Sequence, residues 1–314
     1  MKLKRIIDSI EASKHILMGG HISPDGDAIG SLIGMVGICR FFHIPYTIII
    51  EEIPSKYNYL VQNINIQSNF DGEYDTFIAL DCGDVERLGI YQEYFNKAKL
   101  TINIDHHHTN TGFGKLNYVQ KDGSSTSELV FNLIQRAKVP LTEEIAKAIY
   151  TGLVFDTGGF MHPCTKSSTH LAAAKLLELP IDYSLIYHHI IHARTLKTIR
   201  MQGVLAQNMV FLSNGEIIMS YVTKEQMEQY GASKEDIDGV VNYVKNIEGV
   251  CVAAFIYPVN DNTYKLSLRS IAPYDVAAIC KEFGGGGHIR AAGVTLTGEL
   301  TEVLEKIQAS LMTL

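Results

Sequence analysis

Four short clusters of aspartate and histidine carry the chemistry of this chain. They are His21-Ile22-Ser23-Pro24-Asp25-Gly26-Asp27, Asp81-Cys82-Gly83-Asp84, Asp105-His106-His107-His108 and Asp156-Thr157-Gly158-Gly159. Each lies just after, or at the end of, an apolar run. Carboxylates and imidazoles together ligate divalent cations. Two such cations held close together attack phosphate esters, because one activates water while both neutralise the phosphoryl oxygens. The clusters therefore point to two-metal phosphoester chemistry.

The elements that must position these clusters are legible as alternating strands and helices. HILMGGH (15–21) predicts a strand, and DAIGSLIGMVGICRFF (27–42) the helix after it. YTIIIEE (46–52), YDTFIALDCGD (74–84) and KLTINIDHHH (99–108) predict three more strands. TSELVFNLIQRAK (126–138) and TEEIAKAIYTGLVFDTG (142–158) predict helices. Continuous apolar strands alternating with helices indicate an α/β fold with a mostly parallel sheet. Functional loops of such sheets gather at the carboxyl ends of the strands. The first three clusters fall there, so residues distant in sequence should converge on one crevice.

Past residue 165 the pattern changes. A polar helical stretch leads to HHIIHARTLKTIR, read as a linker at 188–200. VFLSNGEIIMSYVT (210–223) predicts a hairpin turning at Asn-Gly. VCVAAFIYPV (250–259) and YKLSLRS (264–270) predict paired strands. YDVAAICKEF (274–283) predicts a helix, GVTLTG (293–298) a strand and ELTEVLEKIQASLM (299–312) a closing helix. The expected organisation is a metal-binding domain over 1–187, the linker, and a smaller α+β domain with a mixed sheet over 201–314.

Each candidate has a plainer explanation to set beside it. Asp25 and Asp27 could simply cap the next helix or shape a turn. Asp84 reads better as a turn residue beside the site. Adjacent histidines on a strand point to opposite sides, so His106 and His107 would do different things, and His108 would lie outside the ligand set. His188, His189 and His192 read as linker surface. Clusters at the ends of four elements in one domain make coincidence a poor account of the whole set.

Composition narrows the partners. The chain has 314 residues, a net charge of −7 and five scattered cysteines with no CxxC pair. Its N-terminus does not read as a signal peptide, and no run reaches membrane-spanning length. Reduced thiols in a cytoplasmic protein are the simplest reading. An acidic chain is a poor binder of long nucleic acid, so duplexes and membranes are not expected partners.

The Asp105-His106-His107 triplet, the other three clusters and FGGGGHIRAAG (283–293) together resemble the DHH phosphoesterases with their companion DHHA1 domain. The resemblance covers nearly the whole chain. A short DHH domain with a GGGGH-type DHHA1 domain and no other module is similar to the nanoRNase/pAp-phosphatase branch. It implies hydrolysis of short single-stranded oligoribonucleotides and of phosphorylated mono- or dinucleotides such as 3′-phosphoadenosine 5′-phosphate (pAp). It also implies two divalent ions, usually Mn2+ with Mg2+ and others not excluded. One ion would take His21, Asp25 and Asp81. The second would take Asp27, Asp81, His106 and Asp156. A water between them would be the nucleophile, His107 would stand near the scissile phosphate, and Asp105 would orient an imidazole. A homodimer is compatible with this reading. Relatives commonly carry an aromatic residue and an Asn before Thr165, where this chain has His162 and Cys164, so those positions bear on substrate preference.

Gly284, Gly285, Gly286 and Gly287 follow a predicted helix and precede His288. Such a run could be a flexible turn, or it could let backbone N–H groups approach an anion. With Arg269 and His288 nearby, the phosphate-gripping reading is preferred. By resemblance this second domain grips a phosphate or nucleotide across a cleft from the metals. The rivals are a linear or cyclic dinucleotide phosphodiesterase, a RecJ-type single-strand exonuclease, a family-II inorganic pyrophosphatase, and a non-catalytic nucleotide sensor.

Overall fold

The structure is a computed structural model that describes residues 2–314. The chain divides into two compact units, Met1–Ala193 and Arg194–Leu314. The division falls inside the segment read as a linker.

The first unit contains strands β1 (Ile16–Gly19), β2 (Tyr46–Ile49), β3 (Ile66–Gln67), β4 (Thr76–Leu80), β5 (Leu100–Asp105) and β6 (Leu116–Val119). They form one sheet in the order β3-β2-β1-β4-β5-β6, with every pair parallel. The order reverses between β1 and β4, which is the switch point where ligands bind in doubly wound sheets. β1 is wholly buried (ILMG), as is β4 (TFIAL), as strands covered on both faces must be. The expected parallel α/β sheet is therefore present, with two short strands, β3 and β6, beyond the four anticipated.

Helices α1 (Lys2–Glu11), α2 (Gly26–Phe41), α3 (Gln92–Lys97), α4 (Thr126–Ala137), α5 (Glu143–Asp156), α6 (Ser167–Leu176) and α7 (Tyr183–Tyr187) belong to the same unit, with short irregular helical turns at Ser55–Leu60, Glu86–Tyr91 and His188–His192. The larger core lies between one sheet face and α2, α4 and α5, around Ile29, Leu32, Ile78, Ile104 and Ile149. A thinner layer, with Leu88, Tyr91 and Phe95, covers Leu17 and Phe77 on the opposite face. Glycines on α2 allow α5 to pack very close. A Cβ on Gly30 would come within 2.5 Å of the Ala148 carbonyl oxygen. From α5, a Cβ on Gly152 would meet Ser127 Oγ at 2.0 Å and Asp27 Oδ1 at 2.8 Å. This close packing brings the end of α5, and with it Asp156, toward the start of α2.

The second unit contains α8 (Leu196–Gln207), β7 (Val210–Leu212), β8 (Ile217–Tyr221), α9 (Lys224–Tyr230), α10 (Lys234–Ile237), α11 (Val241–Lys245), β9 (Val252–Asn260), β10 (Thr263–Ser270), α12 (Val276–Glu282), β11 (Gly286–His288), β12 (Ala291–Thr297) and α13 (Leu300–Leu311). Its sheet runs β11-β12-β10-β9-β8-β7 and is mixed, because β8 and β9 are parallel and the other pairs antiparallel. Alternate residues face two cores, so Ala254, Leu266 and Leu268 pack on α12 and α13 while Ala253 and Phe255 pack on α8 and α11. No helix among the described residues is long and apolar enough to cross a membrane.

Candidate metal centre

The loop after β1 places His21 and Asp25. His21 Nδ1–H donates to the Ile22 carbonyl at 2.8 Å, which leaves Nε2 without that proton and facing carboxylates. Nε2 lies 3.6 Å from Asp25 Oδ2 and 3.7 Å from Asp81 Oδ2. Asp25 also caps α2, its Oδ1 accepting from the amides of Asp27 and Ala28. The capping explanation and the ligand explanation thus apply to different oxygens of one carboxylate. Burial opposes charge on Asp25, but His21 and those amides hold its carboxyl below the usual range.

Asp81 follows β4 with φ of 60°. That left-handed conformation is uncommon for a residue with a side chain and is found where a site demands it. Asp81 is 2% exposed, and its Oδ1 accepts from Thr126 Oγ1 at 2.9 Å. Burial, then the charges of Asp27, Asp25 and Asp156, push its carboxyl well above the usual range. Asp84 serves a turn, accepting from the Arg87 amide.

Asp27, in the first turn of α2, is fully buried against the N-terminus of α4. Its two oxygens accept from the amides of Thr126 at 2.6 Å and Ser127 at 2.8 Å. A helix N-terminus offers such N–H groups to an anion. Even so, burial and the neighbouring charge of Asp156 push its pKa up to about 7. His106, after β5, places Nε2 3.0 Å from Asp156 Oδ2, 3.7 Å from Asp81 Oδ1 and 3.9 Å from Asp27 Oδ2. Its Nδ1–H points at the Gly123 carbonyl, 3.3 Å away. Burial disfavours its charged form, yet Asp156, Asp27 and Asp81 lift its pKa to about 10.

Two triads of potential ligands result, His21-Asp25-Asp81 and Asp27-His106-Asp156, each with its ligand atoms within 4.8 Å of one another. Asp81 also joins His106 and His107 in a third such group. The donor chemistry fits hard divalent cations: carboxylate oxygens with two imidazole nitrogens, each imidazole oriented by a carbonyl at its other nitrogen. The crowding of buried like charges is what a cation would relieve.

Against the expectation that adjacent histidines face opposite sides of a strand, both follow the end of β5, and the His107 ring lies beside that of His106, centroids 4.9 Å apart, with Nδ1 3.8 Å from Asp81 Oδ1. His107 Nδ1–H donates to Asp105 Oδ1 at 2.6 Å. Asp105 is fully buried and its Oδ2 accepts from Asn110 Nδ2 at 2.5 Å. Burial opposes its charge, but the His107 and Asn110 hydrogen bonds hold the carboxyl below its usual value. His108 is exposed and belongs to none of the ligand groups.

Residues not singled out from sequence support the cluster. Thr126, Ser127 and Asn110 hold Asp81, Asp27 and Asp105; the Ser124-Ser125-Thr126-Ser127 run ahead of a helix was the available signal. His162 Nδ1–H donates to the Asp156 carbonyl at 2.9 Å, and Cys164 Sγ lies 3.7 Å from the same oxygen. His189 stacks on Tyr59, with ring centroids 5.0 Å apart, within the first unit.

In the second unit, the glycine run splits between two tasks. Gly284 is left-handed at φ of 77°, its N–H reaching Lys281 O at 3.0 Å, while Gly285 N–H reaches Cys280 O at 2.8 Å. That pair of bonds closes the C-terminus of α12. Gly286 and Gly287 begin an edge strand, β11, rather than a free loop. Arg269 pairs with Ala291, which pairs with His288. Residues paired across strands share a face, so Arg269 and His288 project on one side of the sheet over a small central residue. Their Cα atoms are about 10 Å apart from two strand spacings.

The sequence profile of the DHH family, N-terminal domain, matches residues 15–153, and that of the DHHA1 domain matches residues 214–313. The chain belongs to the DHH family. It is thus a hydrolase of phosphoester bonds, and the first profile spans three of the four clusters while the second spans the glycine run. This DHH protein is 27% identical over 294 residues to the bifunctional oligoribonuclease and PAP phosphatase NrnA of Bacillus subtilis, covering 93% of this chain and 92% of that one. It is 28% identical over 315 residues to the protein of the same name from Thermus thermophilus, covering 98% and 92%. Among solved structures, an exopolyphosphatase-related protein from Bacteroides fragilis superposes with a TM-score of 0.84 at 26% identity, covering 99% of this chain and 96% of the other.

Proposed function

We propose that this DHH protein is a metal-dependent phosphoesterase that hydrolyses short oligoribonucleotides and pAp. The observation that carries the reading is the meeting of the two ligand triads around Asp81, beside a His107 held by Asp105. The full-length similarity to oligoribonuclease and PAP phosphatase enzymes supports the substrate class.

In this reading His21, Asp25 and Asp81 hold one divalent ion, and Asp27, Asp81, His106 and Asp156 hold a second, Mn2+ being the favoured metal. When bound, such ions supply an activated water and offset charge on the phosphoryl oxygens. The chain's own groups do the rest. Thr126 and Ser127 fix the carboxylates of Asp81 and Asp27. Asp105, kept ionised by its hydrogen bonds, fixes the His107 ring through Nδ1, so Nε2 is the nitrogen left for the substrate. As the water oxygen bonds to phosphorus and the ester P–O bond breaks, the leaving oxygen needs a proton. His107 Nε2–H is the group suited to donate it. In the second unit Arg269 and His288, with Gly286 and Gly287 at the edge of the sheet, grip a substrate phosphate or nucleotide, Arg269 being suited to paired hydrogen bonds with phosphate; the N–H groups of Gly284 and Gly285, expected from sequence to share in that grip, are taken by the Lys281 and Cys280 carbonyls. The five unpaired cysteines fit a reducing compartment such as the cytoplasm.

The test is a manganese-supplemented assay on pAp, di- to pentaribonucleotides, linear pApA, cyclic di-AMP and pyrophosphate. The Asp81→Asn protein serves as control, since Asn tolerates the left-handed backbone while losing the charge. Turnover of pAp and dinucleotides, reduced about 10³-fold or more in the variant, is expected from loss of a shared ligand. Preference for cyclic di-AMP or pyrophosphate would move the assignment to a rival branch.

A further inference from the structure

The helical turn Ser55–Leu60 follows β2, which runs parallel to β1, so the turn lies at the same carboxyl edge of the sheet as the ligand loops. It is fastened along α5. Tyr59 Oη pairs with Thr151 Oγ1 at 2.9 Å. Lys56 Nζ stands 4.9 Å from the centre of the Tyr57 ring and 5.6 Å from that of Phe155, about one helical turn after Thr151. Phe155 in turn lies against Gly26, where a Cβ would come within 2.7 Å of the Phe155 Cβ. Tyr57 is therefore held where the start of α2 meets the end of α5, beside the chain neighbours of two candidate ligands, Asp25 and Asp156.

Tyr57 is 0% exposed, yet its hydroxyl has no hydrogen-bond partner among the described residues. Buried polar groups are paired with few exceptions, and an exception calls for a cause. Packing alone would be served as well by phenylalanine. Burial, then the charges of Asp25, Tyr59 and Asp156, push the phenol's pKa up, so the group keeps its proton as a donor beside carboxylates. Its enclosure leaves no path to solvent, so the partner is a protein oxygen that shifts toward it. Asp25 supplies one. Its Oδ1 is fixed by the amides of Asp27 and Ala28, whereas Oδ2 lies 3.6 Å from His21 Nε2, longer than a hydrogen bond. A carboxylate oxygen has two lone pairs, enough for a cation and a donor together.

We infer that Tyr57 is a positioning residue of the metal centre: its hydroxyl donates to the Asp25 carboxylate once a divalent ion has drawn that carboxylate into place. The inference rests on the metal-dependent reading above. It gives Asp25 a side-chain donor, as Thr126 serves Asp81 and the Ser127 amide serves Asp27. A hydroxyl that is unpaired without the ion and paired with it favours metal binding rather than folding.

The experiment compares wild type with Tyr57→Phe, which keeps the ring and removes only the hydroxyl, by Mn2+ calorimetry and by thermal scans in EDTA and in Mn2+. Mn2+ affinity should fall about 10-fold in the variant. The Tm in EDTA should hold or rise by about 2 °C, because an unpaired buried group is removed. The Tm gain from Mn2+ is then smaller in the variant than in wild type. In the Asp25→Asn background, Tyr57→Phe should cause no further loss of Mn2+ binding at the remaining triad. Unchanged Mn2+ affinity, a lower Tm in EDTA, or a loss that persists beside Asp25→Asn rejects the inference while leaving the phosphoesterase reading intact. A wild type that binds neither Mn2+ nor Mg2+ rejects the metal centre and the inference together.

Discussion

His162 holds Asp156 by the main chain: its Nδ1 lies 2.9 Å from the Asp156 carbonyl oxygen. The ring occupies space that a side chain on Gly158 would fill, since a Cβ there would come within 2.5 Å of His162 Nε2. Cys164 approaches the same carbonyl, its Sγ 3.7 Å away, so two side chains converge on the backbone of one candidate ligand. His162→Ala should therefore weaken metal binding at the Asp27-His106-Asp156 triad about 3- to 10-fold, near the low end of effects from groups that orient ligands. Manganese titration followed by calorimetry measures this. His162→Asn, which keeps a donor, should recover part of the loss. Unchanged affinity in His162→Ala would assign the residue to packing alone.

The crowded carboxylates give the metal-free protein a distinctive pH response. The Asp27 pKa is raised from 3.8 to about 7 by burial and by Asp156. Its stabilising contribution is full below its unfolded value and is lost as pH rises through about 7. His106, raised from 6.5 to about 10, contributes fully below 6.5 and loses that contribution toward 10. Asp25 and Asp105 are held low, so their contributions are lost only on acidification below the usual carboxylate range. After EDTA treatment, Tm should fall by about 5 °C or more between about pH 5 and about pH 9. Because divalent ions displace these protons, Mn2+ should raise Tm more at the alkaline end. Thermal scans across that range with and without Mn2+ check both signs. A metal-induced Tm gain that shrinks with rising pH would contradict the assignment.

Much of this was legible in the sequence for a simple reason. A carboxylate or imidazole that directly ends a buried strand is conspicuous, and the α/β alternation dictates that such ends converge. His21, Asp81 and the Asp105-His106-His107 run stand out that way, and so does the parallel sheet; the choice of His106 as a ligand comes from the family resemblance. The supporting groups were less legible: Thr126 and Asn110 reach Asp81 and Asp105 with side chains, from the start of α4 and from the loop after β5, and a backbone amide has no residue signature. Thr126 and Ser127 serve Asp27 through N–H groups that every non-proline residue has. The two-residue β3 and the half-buried β6 were too short to show a period. The close approach of α5 to α2 depends on glycines, which hydrophobic patterning does not register. The four-glycine run read as one motif, but local geometry divides it between a helix end and an edge strand.

Chemistry and binding should separate between the two units. His107 is tethered by Asp105 and offers Nε2 to the leaving group, so His107→Ala should lower kcat about 10²- to 10³-fold with KM nearly unchanged. Arg269 shares a sheet face with His288 and lies in the other unit, so Arg269→Ala should mainly raise KM, by about 10-fold. Steady-state kinetics on pAp distinguish the two. A kcat effect in Arg269→Ala as large as that in His107→Ala would place the arginine at the reacting phosphate instead.

Substrate length is the sharpest discriminator among the readings. The net charge is −7, and the cationic groups assigned to substrate are few, Arg269 and His288. Such local contacts saturate once the scissile phosphate and its immediate neighbours are held. Further nucleotides add phosphates beyond these assigned contacts, against an acidic background. The kcat/KM should therefore fall as RNA grows from about two to about ten residues, and its salt dependence should stay shallow because few counterions are released. A processive exonuclease predicts the opposite, since a basic groove makes longer strands bind better, most of all at low salt. The measurement is kcat/KM over the length series at two salt concentrations, with a duplex of matched length as control. A rise with length that steepens at low salt would reject the short-substrate reading.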